Sequence, residues 1–170
     1  MSVDPDTGFP PVFDARAQVL ILGSMPGQAS LNVREYYAYP QNAFWRIMQA
    51  LFGIDRHAEF SARYAALRNQ HIALWDTVHQ CVRPGSLDSR IREDSIVVND
   101  FAGLFAACPA IHHIFFNGAK SEQVFKRYVP AGLTSPMLKT RLPSTSPAHA
   151  SLRFEQKLAQ WQQVYMALNG

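Results

Sequence analysis

Cysteine is scarce in this 170-residue chain: Cys81 and Cys108 are the only two, far apart and without CxxC spacing. That pattern offers no disulfide framework and no zinc motif, and it suits a reducing compartment. No positively charged, apolar leader opens the sequence, and no stretch approaches the length of apolar chain that a membrane span needs. Neither export nor membrane insertion is expected, which leaves the cytoplasm. The phosphate-cradling patterns GxxxxGK[ST] and GxGxxG are both missing, so no nucleotide cofactor has a motif behind it. His112 and His113 stand together without a third ligand at metal spacing. Charge of either sign is also modest: 16 Lys+Arg against 13 Asp+Glu give a formal +3, which permits an anionic partner without requiring one.

What is present is a core. Hydrophobic residues make up 48% of the chain, enough for 170 residues to fold as one domain spanning the whole sequence. After a proline-bearing arm (Met1 to Asp14), Gln18 to Leu22 is a continuous apolar run, the pattern of a strand covered on both faces. Phe44, Ile47, Met48 and Leu51 fall on one helical face, predicting a helix over 43–52 that ends at Gly53 and begins near Asn42 as cap. A second helix is expected over 58–68, a strand over 71–75, and a helix over 99–108 capped by Asn99 or Asp100. Ile111 to Gly118 reads as a third strand and Lys120 to Tyr128 as a helix. Thr140 to Ser151 reads as a proline-serine loop, and Leu152 to Leu168 as the last helix. Alternating strands and helices imply a three-layer α/β/α sandwich around a central, mostly parallel four-stranded sheet.

Ligands of such folds sit beyond the carboxyl ends of the strands. The unusual segments fall there: GSMPG (Gly23 to Gly27), Asp76, Asn117-Gly118 and LPSTSPAH (Leu142 to His149). Each also has a plain structural reading. GSMPG is an ordinary place for a tight turn, Asp76 and Asn117 are common turn residues, and two of Tyr36, Tyr37 and Tyr39 are expected to pack on the core. Trp45, Trp75 and Trp161 read as core.

The ordered set GSMPG, YYAYPQNAFW, LWD, FFNG, LPSTSPAHA resembles the uracil-DNA glycosylase superfamily, most closely its hypoxanthine-DNA (deoxyinosine) glycosylase branch. The likeness runs from about Val19 to Trp161. It implies removal of a deaminated base from DNA without metal or cofactor, by an enzyme expected to act as a monomer.

Such chemistry needs a flipped-out nucleotide, a positioned water and help for the departing base. By resemblance, Gly23 and Met25 let backbone approach the base, Tyr37 stacks on it, and Asp76 stands where relatives place an amide that reads its edge. Asn117 lines the same pocket. The loop that carries Asn or Asp in many relatives offers Ser24, a poor water-activating group, so Asn42 is expected to be the main catalytic side chain with Ser24 secondary. Ser144, Ser146, His149 and Lys120 are the expected DNA-backbone ligands, with Lys139 and Arg141 flanking. Leu142 occupies a position where many relatives carry His or Asn, and it cannot steady a base anion. A Ser24–His149 hydrolase, a uracil or mismatch-specific glycosylase and a non-catalytic binder of damaged DNA remain the rival readings.

Overall fold

A computed structural model describes residues 4–170. The first long apolar run forms β2 (Val19–Gly23), preceded by the two-residue β1 (Asp6–Thr7). Three helices follow, α1 (Gln28–Val33), α2 (Phe44–Phe52) and α3 (Phe60–Asn69), and then the strands β3 (Ile72–Asp76), β4 (Val78–Cys81) and β5 (Val97–Val98). The second half alternates: α4 (Phe101–Ala107), β6 (His113–Asn117), α5 (Ala119–Tyr128), β7 (Leu138–Leu142) and α6 (Phe154–Asn169).

The main sheet has the order β3-β2-β6-β7, and every pairing in it is parallel. From β2 the chain moves one way to β3, then crosses back over β2 to β6 and on to β7. Right-handed crossovers therefore put α2 and α3 on one face and α4 and α5 on the other. Helix α6 packs against α2, which adds it to the first face and gives the expected three layers. β2 is completely buried between them. The change of direction at β2 is the topological switch point, and register aligns Gly23 with Asp76 and Asn117 with Leu142 at the carboxyl end.

Local chemistry explains the helix ends. Gly53 takes φ 70° as the left-handed cap of α2. Asp100, rather than Asn99, caps α4 by accepting from the Gly103 N–H. Gln156 closes the start of α6 by accepting from the Arg153 N–H.

Several expectations need correction. The loop assigned to Thr140–Ser151 begins too early, because Thr140 to Leu142 complete β7. That edge strand reads LKTRL, mostly exposed, so it lacks the apolar run that marks a central strand. The proline-bearing arm is more than a leader: Phe9 and Val12 are buried and Val12 bridges to Leu74. β1, β4 and β5 form a small antiparallel sheet that was not expected, nor was helix α1. The cap of α2 is Ala43, one residue after Asn42. All three tryptophans are buried, and two of the three tyrosines pack on the core, both as expected: Tyr36 lies in it, Tyr37 packs against it and Tyr39 is exposed.

Candidate active site

One cavity of about 1020 Å³ opens at the carboxyl end of the main sheet. The end of β2 and the turn after it bring Gly23, Ser24 and Met25 to its wall, and the approach to α2 brings Tyr37 and Asn42. The ends of β3 and β6 supply Asp76 and Asn117. Lys120 from α5 and Ser144, Ser146 and His149 from the loop after β7 complete the set foreseen from sequence. Leu142 is not among them. It is the last residue of β7 and is 1% exposed within the core, so it serves packing.

The floor is a tight polar joint. Asn117 Nδ2 donates to the Tyr37 hydroxyl at 3.1 Å and to Thr145 Oγ1 at 3.0 Å, while its Oδ1 accepts from the Thr145 N–H at 2.9 Å. Tyr37 sits at φ 54°, a strained region for a tyrosine, and its ring stacks on Phe44 at 4.2 Å. Burial pushes its phenol well above the usual range. Gly23 is where the approach is closest: a Cβ there would lie 2.4 Å from Asp76 Oδ1 and 2.8 Å from the Tyr37 hydroxyl. Gly118, at φ 94°, lies under Ser144 and would crowd its Cβ at 3.2 Å with any side chain.

Asp76 is the anomaly of the cavity. It is 4% exposed, and its Oδ2 is buried without a hydrogen-bond partner. A buried, unpartnered carboxylate is costly, so burial first and the neighbouring Asp88 second raise its pKa to about 7, against a weaker pull from Arg83. A buried carboxyl with a raised pKa and no partner in the protein marks a place where a ligand can supply one.

Asn42 Oδ1 accepts from the Phe44 N–H at 3.0 Å, which fixes the side chain at the start of α2. Its Nδ2 forms no hydrogen bond to the protein among the described residues, and the side chain lines the cavity. Ser24 is not free. Its hydroxyl donates to Asp88 Oδ1 at 2.6 Å, and no bond joins it to His149, which removes the serine–histidine pair that a hydrolase would need.

Sequence reasoning missed two members of the site. Thr145 is visible only through Asn117, 28 residues earlier. Asp88 sits 64 residues after Ser24 on the loop following β4, where nothing local marks it. Arg83 fastens that loop to the glycine-rich turn by donating to the Met25 and Pro26 carbonyls, and Ser86 Oγ accepts from the Gln28 N–H at 2.9 Å.

The expected DNA ligands divide. Ser144 and Ser146 line the cavity while accepting from the N–H groups of Ser146 and Ala148, which shapes their loop. Trp161 Nε1 pins the same loop by donating to the Pro143 carbonyl at 2.9 Å, and Lys157 Nζ donates to the Ser146 carbonyl at 3.2 Å. Lys120 donates to Glu93 Oε1, so its charge is already paired. Arg141 lies 3.8 Å from Glu122. Among the described residues no three His, Cys, Asp or Glu side chains gather as a metal-binding group, and no helix is long and apolar enough to cross a membrane.

A parallel α/β sheet with a cavity of polar, aromatic and backbone groups at its switch point defines the ligand-binding class of open α/β folds. The uracil DNA glycosylase superfamily model matches residues 10–168, and the chain belongs to that superfamily. Two relatives are named hypoxanthine DNA glycosylase. The one from Methanosarcina barkeri is 38% identical over 117 residues, 68% of this chain and 73% of that protein. The other, from Methanosarcina acetivorans, is 35% identical over 161 residues, 93% of this chain and 96% of its own. A solution NMR structure of a candidate uracil DNA glycosylase from M. acetivorans superposes with a TM-score of 0.82 at 30% identity, covering 98% of this chain and 99% of that one.

Proposed function

We propose that this DNA repair glycosylase flips hypoxanthine out of DNA and hydrolyses its glycosidic bond, leaving an abasic site. The observation that carries the reading is the unpartnered carboxylate of Asp76 at the cavity floor, beside the fixed Tyr37–Asn117 pair. In its ionised form the carboxylate accepts from the N1–H of hypoxanthine but finds no proton on N1 of adenine, so it favours hypoxanthine over adenine. The N3–H of uracil offers the same donor, which makes uracil the second substrate of the same pocket. The names of the two relatives support hypoxanthine first.

In this reading the Gly23–Met25 backbone lies against the extruded base and Tyr37 offers it an aromatic face. Asn42 holds the attacking water through its free Nδ2. The Ser144–His149 loop meets the DNA backbone with its N–H groups and hydroxyls. The reaction is monofunctional: GSMPGQAS contains no lysine, and the cavity's Lys120 is paired with Glu93 rather than available as a Schiff-base nucleophile. The enzyme works without metal or cofactor, as a cytoplasmic monomer.

Duplexes carrying one labelled hypoxanthine or one uracil test this directly. Strand breaks at the lesion that appear only after alkali support it, with the hypoxanthine duplex cut faster. Breaks without alkali, or a borohydride-trapped protein–DNA adduct, contradict the monofunctional step.

A further inference from the structure

We infer that Asp88 is the base that takes the proton from the attacking water. The inference rests on the glycosylase reading above and adds a residue from a different loop to that chemistry. A water orienter is not a proton acceptor. Asn42 presents an amide, which holds a water but does not deprotonate it near neutral pH. Ser24 cannot serve either, because its proton is already directed at Asp88 Oδ1. Asp76 is assigned to the base edge in the reading above, and the Tyr37 phenol, kept un-ionised by burial, already accepts from Asn117 Nδ2.

Asp88 has the missing properties. It lines the same cavity, and one of its carboxylate oxygens is fixed by the 2.6 Å bond from Ser24 while the other receives no hydrogen bond among the described residues. Its loop is clamped to the glycine-rich turn by Arg83 and Ser86 before Asp88 and by Ser24 at Asp88 itself. Burial raises its carboxyl above the ordinary range, while the Ser24 hydroxyl and the charges of Arg83 and Lys120 act the other way and favour the carboxylate. Such a group is more basic than a surface aspartate. Ser24 is then the positioning residue: where the loop lacks an acidic side chain of its own, the serine holds one delivered from 64 positions later.

The step balances. As the water oxygen bonds to C1′, the glycosidic C1′–N bond breaks and its electron pair leaves on the base. The water proton goes to the free Oδ2 of Asp88, which later returns it to the departed base or to solvent. The same negative charge faces the cationic sugar of the transition state.

With Asp76 assigned to the base, His149 is the remaining cavity side chain to compare, and no hydrogen bond holds its ring among the described residues. The test therefore compares Asp88→Asn, His149→Asn and Ser24→Ala in single-turnover assays on a deoxyinosine duplex, with affinity measured on a duplex carrying a tetrahydrofuran abasic analogue. In Asp88→Asn the amide oxygen still accepts from Ser24, so the fold and the loop are kept and only basicity is lost. The expected result is a rate lower by about 10² or more at unchanged affinity and melting temperature. Ser24→Ala should lose about 10-fold, because the carboxylate is retained but no longer held. An Asp88→Asn loss smaller than about 10-fold overturns the assignment, as does a larger loss in His149→Asn. A wild-type protein inactive on every lesion overturns the glycosylase reading itself, and this inference with it. If Asp88→Asn fails to fold, Ser24→Ala decides: an unchanged rate refutes the pair.

Discussion

Asn117 grips Thr145 with both ends of its amide, accepting from the backbone N–H at 2.9 Å and donating to the hydroxyl at 3.0 Å. The pair ties the end of β6 to the loop after β7, and through the Tyr37 hydroxyl it also ties in the segment before α2. Three separate segments, two of them at strand ends, thus share one side chain.

Asn117→Ala leaves the Thr145 N–H, the Thr145 hydroxyl and the Tyr37 hydroxyl short of partners in a buried joint. Stability should fall by about 1–3 kcal/mol, measured by denaturant titration, and excision should fall with it. Asn117→Asp keeps one acceptor but loses the donors to Tyr37 and Thr145, so it should lie between the two.

Gly23→Ala places a methyl 2.4 Å from Asp76 Oδ1 and 2.8 Å from the Tyr37 hydroxyl. The backbone of a central strand cannot shift to relieve this. The expected cost is about 1–3 kcal/mol from overpacking. Displacement of the base-reading groups should slow excision by about 10²-fold, read in a single-turnover assay alongside a melting curve.

Asp76 makes stability depend on pH. Its folded pKa is raised from 3.8 to about 7, chiefly by burial, so the folded state favours the protonated form. The stabilisation is complete below the unfolded value and is lost as pH rises through the folded one. Between about pH 4 and 7 the wild type should lose up to roughly 1.4 kcal/mol per pH unit relative to Asp76→Asn, whose stability lacks this slope. Parallel melting curves for the two proteins across that window would contradict the assignment.

Much of this architecture was legible because it rests on burial. The apolar run at β2, the helical spacing of Phe44, Ile47, Met48 and Leu51, and the buried Trp45, Trp75 and Trp161 all follow from hydrophobic patterning. β7 was hidden because an exposed edge strand with Lys139 and Arg141 carries no such pattern. In the candidate site, the residues on GSMPG and at strand ends were visible because strand ends locate ligands in these folds. Asp88 was not, since its role depends on a contact with Ser24 across 64 residues that no local spacing encodes.

Asn42 separates positioning from packing. Asn42→Ala should lose about 10²–10³ in single-turnover rate, whereas Ser24→Ala should lose clearly less. Removing the bond to the Phe44 N–H should also cost about 1 kcal/mol of stability. If stability falls and the rate does not, Asn42 serves only to start α2.

The decisive measurement is the product itself. Wild-type protein incubated with a duplex carrying a single deoxyinosine, without alkali, should release free hypoxanthine detectable by mass spectrometry. The DNA strand should remain unbroken, lighter by the mass of the freed base less that of the one water added at C1′. Release of no base from deoxyinosine or deoxyuridine duplexes, or a strand nicked at the lesion before alkali, would contradict removal of a deaminated base by simple hydrolysis in this cavity.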